Sequence, residues 1–262
     1  MGKPKVVILC GGLGMRLREE TEFKPKPMVH IGNRPILWHI MKIYSHYGFN
    51  EFVLCLGYKG EVIKEYFYNY EILNNDFSVS LGKERSLEIL NFSSNDNWKV
   101  TIVDTGENTL KGARIKRIEK YIEGDTFMLT YGDGVADINI NKLLDFYRNQ
   151  RKIGTVTGVR PPSLFGELQV NRNKVTHFSE KPQTSTGLIN GGFFVFSVKF
   201  FEYLSEDPSC DFEHGPLERL TEDGELMVYE HTGFWECMDT LRDNQYLNKL
   251  WEEKKAFWKV WD

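Results

Sequence analysis

Residues 6–28 read VVILCGGLGMRLREETEFKPKPM, an apolar strand that runs straight into a glycine-rich loop and then into cations. A buried strand ending at Gly11, Gly12 and Gly14 lets backbone N–H groups approach a polyphosphate without side-chain obstruction. Arg16, Lys24 and Lys26 supply the positive charge that phosphates need. This pattern is machinery for holding a phosphorylated ligand at the carboxyl end of a strand.

Two other glycine-loop families fit less well. A dinucleotide-binding unit needs a third glycine and, about twenty residues on, an acid for a ribose hydroxyl. Leu17 stands at the third-glycine position, and the next strand-like run, EFVLCLGYKG, ends in Gly57 and Tyr58. No GK[ST] follows a glycine run, so the chain carries no P-loop signature.

Downstream, short β-branched runs alternate with helical spacing. PILWHIMKIYSHYG predicts a helix with Leu37, Ile40, Met41 and Tyr44 on one stripe, and EFVLCLG the next strand. GEVIKEYFYNYEIL repeats the helical spacing with Ile63, Tyr66, Phe67 and Tyr70, a stripe that fits core packing. Residues 75–97 are rich in Asn and Ser and predict a loop or irregular hairpin before the strand WKVTIVDTG. ARIKRIEKYI is helical, TFMLTYGDG is a strand ending in a polar turn, and INKLLDFYRNQR is a helix for which Asn141 is the expected N-cap. From residue 154 the chain turns strand-rich: GTVTGVR, ELQV, KVTHFSEKP, INGGFFVFSV and, after a helical PLERLTEDG, ELMVYEH. A closing helix is expected from about Thr240 to Lys254. Strands alternating with helices predict an α/β fold, a Rossmann-like three-layer arrangement whose mainly parallel mixed sheet binds ligands beyond its strands' carboxyl ends. No Pro/Gly/Ser linker divides the chain, so residues 1–262 are expected to form one domain, with halves of about 1–153 and 154–262.

The composition narrows the ligand class. A chain of 262 residues that is 41% apolar and 27% charged can bury a sizeable core. Its formal net charge of −4 disfavours nucleic acid and anionic membranes as partners, leaving a small anion held by local cations. The four cysteines lack metal or redox spacing, and Cys10 and Cys55 lie in apolar strands, so a reduced compartment is expected. The six histidines form no zinc motif, and most of them read as surface or core-edge residues. Without a secretory leader or an apolar run of membrane-spanning length, the expected location is the cytoplasm.

GGLGMRL followed by KPKP resembles the signature of the sugar-1-phosphate nucleotidyltransferases, with Met15 where that family has Thr. Further segments match in order: YGDGVAD with Asp133, EKP with Glu180 and Lys181, INGGFFVF with Asn190 and Gly191, and GFWECMDT with Asp239. Together with ILWHIMKIY, VDTG, GELM, MDTLRD and FWKVWD, they make the chain most similar to the subgroup that couples CTP to α-D-glucose 1-phosphate. Leu164, Gly215 and the QTST segment depart from that subgroup's pattern, all in the strand-rich half.

The resemblance implies a nucleotidyltransferase fold with a nucleotide half and a sugar-phosphate half, making CDP-glucose and pyrophosphate for deoxysugar and polysaccharide synthesis. It implies Lys26, Arg16 and Asp133 as catalytic residues. Leu9, Gly11, Gly12, Gly14, Arg16, Lys26, Thr109 and Gly112 would line the nucleotide, with Thr109 and Gly112 beside the base. Lys181, Glu180, Asn190 and Gly191 would hold the sugar phosphate. Asp133 and Asp239 would hold Mg²⁺ as cofactor. For Asp239 a competing expectation is a helix cap before Thr240, and for Lys24 a solvated surface charge. Two other functions stay open: the same reaction with UTP, dTTP or another sugar 1-phosphate, and a binding paralogue without chemistry. Relatives of this kind are commonly homo-oligomers. The polar excursion at 75–97 and the aromatic C-terminus, with Trp251, Phe257, Trp258 and Trp261, offer material for such contacts, the alternatives being an active-site flap for the excursion and a cap folded back on its own chain for the aromatics.

Overall fold

The first strand, β1 (Val6–Cys10), is apolar on both faces and buried on both. Val6, Ile8 and Cys10 face one hydrophobic core and Val7 and Leu9 the other, as the two-residue period of a strand requires. Each such side chain removed from water contributes roughly 1.5–3 kcal/mol, so this strand prefers the middle of a sheet. The computed structural model describes residues 2–83, 85–91, 96–161, 167–171, 173–179 and 187–262.

Six further strands join β1: β2 (Glu51–Leu56), β3 (Lys99–Asp104), β4 (Thr126–Tyr131), β5 (Gly154–Val159), β6 (Ile189–Ser197) and β7 (Leu226–His231). The seven-stranded order is β7-β5-β6-β4-β1-β2-β3. β1 pairs parallel with both β2 and β4, β3 extends β2 in parallel, and β7 is parallel to β5. β6 runs antiparallel to both of its neighbours. The amino end of β6 therefore meets the carboxyl ends of the others on one edge. Chain order reverses between β4 and β1, the place where open α/β sheets bind ligands.

Helices cover both faces. α1 (Ile36–His46) buries Leu37, Ile40, Met41 and Tyr44, the predicted stripe, against the face of Val6 and Ile8. α2 (Gly60–Tyr68) and α4 (Ile140–Gln150) add Ile63 and Leu143 on that side, whereas α3 (Lys111–Arg117) packs Ile115 on the opposite one. The predicted aromatic stripe is broken at Asn69, after which a short helix, Tyr70–Asn74, continues. The cap of α4 is Asn139 and not Asn141: the Asn139 side chain accepts from the Lys142 N–H, so the helix begins earlier than its spacing suggests.

Residues 75–97 contain a ribbon of Asp76–Ser80 against Ser86–Asn91. Phe77 pairs with Ile89 and Val79 with Leu87, which gives the ribbon one apolar face, and Phe77, Val79 and Leu87 are exposed.

The closing helix, α5 (Leu241–Glu252), starts at Thr240 with a capping box: Asp243 N–H donates to Thr240 Oγ1, and Thr240 N–H donates to the Asp243 carboxylate. Beyond it the aromatic tail folds back on its own chain. Trp258 is fully buried and Trp261 nearly so, as the folded-back cap requires and a partner surface does not; Phe257 stays exposed. Trp251, Trp258 and Trp261 enclose His39, which is fully buried, unlike the surface or core-edge position expected of most histidines.

Candidate active site

The loop after β1 is shaped by a residue that phosphate chemistry alone does not call for. Arg114, on α3, is 4% exposed. Its guanidinium donates to the carbonyls of Gly11, Leu56, Gly106 and Glu107 and to Thr105 Oγ1. These acceptors lie at the ends of β1, β2 and β3, so one buried cation ties three loops together. Burial lowers the Arg114 pKa from its ordinary value, yet a guanidinium stays charged in any protein. A Cβ on Gly11 or on Gly57 would come within 2.4 Å of this group. Both glycines leave room for the arginine. Gly12 faces open space, and Gly14 takes φ +62°, the left-handed conformation that glycine adopts without strain.

The charged centre lies just beyond. The short helix Lys26–Met28 follows Pro25, whose extended backbone turns Lys26 back toward the sheet. Lys26 Nζ donates to Asp133 Oδ2 at 2.6 Å and also to Asp239 Oδ1. Arg16 Nη1 reaches Asp239 Oδ2 at 2.8 Å. Asp133 hangs on the turn after β4, while Asp239 precedes α5, its own N–H held by the Asp243 carboxylate. Asp239 is thus not the helix cap; Thr240 is. Burial acts to lower the Lys26 pKa, but Asp133 and Asp239 outweigh it and raise the value above the usual lysine range. Two cations and two carboxylates make this centre close to neutral.

Tyr131, at the end of β4, donates its hydroxyl hydrogen to Glu213 at 2.7 Å, and Lys111 pairs with the same carboxylate. Asn190 Nδ2 donates to the Tyr131 oxygen at 3.0 Å and its Oδ1 accepts from Gly192 N–H. Burial, then Glu213, raises the Tyr131 pKa. Gly191 accepts through its carbonyl from Trp235 Nε1 at 2.7 Å. The strand Trp235–Cys237 pairs antiparallel with Gly134–Ala136, setting Cys237 opposite Gly134 and next to Asp133. Burial, then Asp133, raises the Cys237 thiol pKa, and burial pushes Glu236 up to about 7.

The predicted residues divide accordingly. Lys26, Arg16, Asp133 and Asp239 come together, with Gly11, Gly12 and Gly14 just upstream. Asn190 and Gly191 share the same sheet edge. Leu9 has its side chain in the core, so it can offer a ligand only backbone. Thr109 Oγ1 accepts from Arg117, and a Cβ on Gly112 would strike the Asp211 carbonyl at 2.7 Å, so Gly112 lies tight against the loop at Cys210 and Asp211. Lys24 pairs with Glu20 at 3.1 Å, as an ordinary surface charge would. Glu180, Lys181 and Leu164 lie outside the described residues. Arg114, Tyr131, Glu213 and Cys237 were not singled out from sequence. The available signal for Arg114 was an arginine between Ala113 and Ile115 on a buried helix stripe.

Residues 5–243 match the family model described as Nucleotidyl transferase. The chain is 48% identical over 259 residues to a glucose-1-phosphate cytidylyltransferase of Salmonella typhimurium, covering 98% of this chain and 100% of that one. It is equally 48% identical, over 257 residues, to a probable glucose-1-phosphate cytidylyltransferase of Bacillus subtilis, at 98% and 100% coverage. Among solved structures it is similar to HddC from Yersinia pseudotuberculosis, with a TM-score of 0.67, 25% identity, and 95% and 100% coverage.

Proposed function

The chain belongs to the nucleotidyl transferase family, and from that premise we propose that it transfers the cytidylyl group of CTP to α-D-glucose 1-phosphate, giving CDP-glucose and pyrophosphate. The observation that carries the reaction type is Lys26 set between Asp133 and Asp239 at the mouth of the β1 loop. The choice of CTP and glucose 1-phosphate is supported by the near-full-length relatives at 48% identity.

An oxygen of the sugar phosphate attacks the α-phosphorus of CTP. The bond from that phosphorus to the bridging oxygen breaks, and pyrophosphate leaves with the electron pair. The nucleophile is already an anion, so no general base is required, and rate enhancement rests on alignment and charge neutralisation. The amides of Gly11–Gly14 and Arg16 hold the departing phosphates. Lys26, kept protonated by its acidic neighbours, lies over the α-phosphate. Asn190 and the Tyr131–Glu213 pair behind it orient the sugar.

Asp133 and Asp239 fit Mg²⁺: they offer hard carboxylate oxygens from two loops across one cation position. A sugar phosphate brings a charge of about −1.5 to −2 and the triphosphate more, beyond what Arg16 and Lys26 neutralise. When bound, Mg²⁺ supplies the missing positive charge at the reacting phosphoryl oxygens.

A homo-oligomer belongs to the same proposal. A two-stranded ribbon is marginal on its own in water, and the exposed apolar face of Phe77, Val79 and Leu87 fits a second copy. Light scattering on the intact protein tests this, a monomer mass being the result that rejects it.

The reaction is tested by incubating nucleoside triphosphates with sugar 1-phosphates and reading pyrophosphate release. CTP with glucose 1-phosphate should turn over fastest. Faster turnover of another pair would reassign the substrates, and tight CTP binding without turnover at any Mg²⁺ concentration would make this a binding paralogue.

A further inference from the structure

The carboxylate pair has a third neighbour that magnesium chemistry does not use. Asp133, Cys237 and Asp239 each present a ligand atom within 4.8 Å of the other two. Backbone bonds hold this arrangement. Cys237 lies opposite Gly134 in the two-stranded ladder, Met238 N–H donates to the Asp133 carbonyl at 2.9 Å, and Asp239 N–H donates to the Cys237 carbonyl. A cation already sits at the meeting point of the carboxylates, the Lys26 ammonium.

Magnesium takes oxygen ligands, whereas a sulfur with two carboxylates suits zinc, cadmium or cobalt. We propose that Asp133, Cys237 and Asp239 form a three-ligand site for a thiophilic divalent cation, which competes with Lys26 and with hard cations for the same carboxylates. On binding, the Cys237 S–H bond breaks, its electron pair forms the sulfur–metal bond, and the proton passes to solvent. The Lys26 ammonium withdraws along its flexible stem. Three protein ligands leave a fourth tetrahedral position for water or a phosphate oxygen. Such an ion takes the carboxylates that would hold Mg²⁺, so it inhibits the enzyme by excluding the hard cation. The site rests on geometry alone and does not require the substrate assignment.

Titrating Co²⁺ into the reduced full-length protein, without nucleotide, reads the site directly through the near-ultraviolet thiolate-to-cobalt charge-transfer band. The band should saturate at one equivalent and collapse when Zn²⁺ is added. Cys237→Ser should abolish it, and Cys210→Ser should leave it intact. Removing a group that only hydrogen-bonds to a metal ligand costs metal affinity roughly 10–100-fold, so loss of this ligand should weaken Zn²⁺ at least about tenfold against a chromophoric chelator. No band in the wild type, or a band that survives in Cys237→Ser, overturns the site. If Cys237→Ser fails to fold, cadmium NMR of the wild type decides: a downfield, sulfur-ligated resonance supports the site and an oxygen-only shift refutes it. Mg²⁺-dependent turnover, measured on the same protein free of thiophilic metal, bears on the reaction and leaves the band untouched.

Discussion

The two ends of α5 carry the same kind of long-range contact with opposite chemistry. At its amino end, the capping box holds Asp239 against Arg16 and Lys26, a partly solvated set of charges. At its carboxyl end, Trp251 and the following turn bring Trp258 and Trp261 around His39 in a dry aromatic box. The contacts span 213 residues for Lys26–Asp239 and 219 for His39–Trp258. The difference teaches that the tail is a structural clamp whose charged tip carries the groups assigned to the proposed reaction. Damage at the aromatic end should appear as lost stability, and damage at the charged end as lost turnover.

The sharpest division comes from Lys26→Ala and Asp239→Asn. Each should lower kcat by about 10²–10³-fold or more, as losing one transition-state charge contact does elsewhere, while CTP binding by titration calorimetry changes far less. Loss confined to KM would remove Lys26 from the α-phosphate. At the other end, Trp258→Ala should cost about 3–5 kcal/mol in urea denaturation, with less than tenfold change in kcat of the folded fraction. A stable but inactive Trp258→Ala would erase the contrast. Deleting residues 256–262 should likewise destabilise the fold, yet light scattering should show the wild-type assembly, because the buried rings are not the contact surface.

His39 gives a smaller, pH-dependent effect. Its Nε2–H donates to the Ile31 carbonyl at 3.0 Å, so Nδ1 accepts from Trp258 Nε1–H at 3.4 Å and the ring is neutral. Protonating Nδ1 would set two N–H groups against each other, and burial lowers the pKa from 6.5 to about 4. Between those values the unfolded chain binds the extra proton. Stability is therefore full above pH 6.5 and falls as pH drops toward 4, by up to roughly 3 kcal/mol. His39→Gln should flatten that part of the melting-temperature profile. The smallest effect belongs to Thr240→Ala, about 1 kcal/mol for a lost cap, accompanied by a measurable fall in kcat because Asp239 loses its fixed approach. Unchanged kcat would show that Asp239 is held without the cap.

Much of the fold was legible because its signals are local. The two-residue period of β1 and the stripe on α1 each bury the side chains that the spacing selects. The closeness of Lys26, Asp133 and Asp239 was legible only through motif resemblance, since no local pattern joins residues so far apart. Arg114 escaped notice for a physical reason: its acceptors are mostly backbone carbonyls, which leave no mark on side-chain identity. The aromatic tail stayed between two readings because tryptophans suit a partner surface and a core equally well, and only the position of His39 separates the two. Asn141 lost the cap of α4 to Asn139 because both can accept a backbone hydrogen bond and the turn before the helix decides between them.

Arg114 has a kinetic consequence. With one guanidinium bonded to carbonyls at the ends of β1, β2 and β3, no single loop can lift away without breaking bonds held by the others. The three loops should therefore behave as one opening unit, with amides around Gly11, Gly57 and Gly106 exchanging their hydrogens at a common free energy. A nucleotide that presses on any one loop would slow exchange in all three.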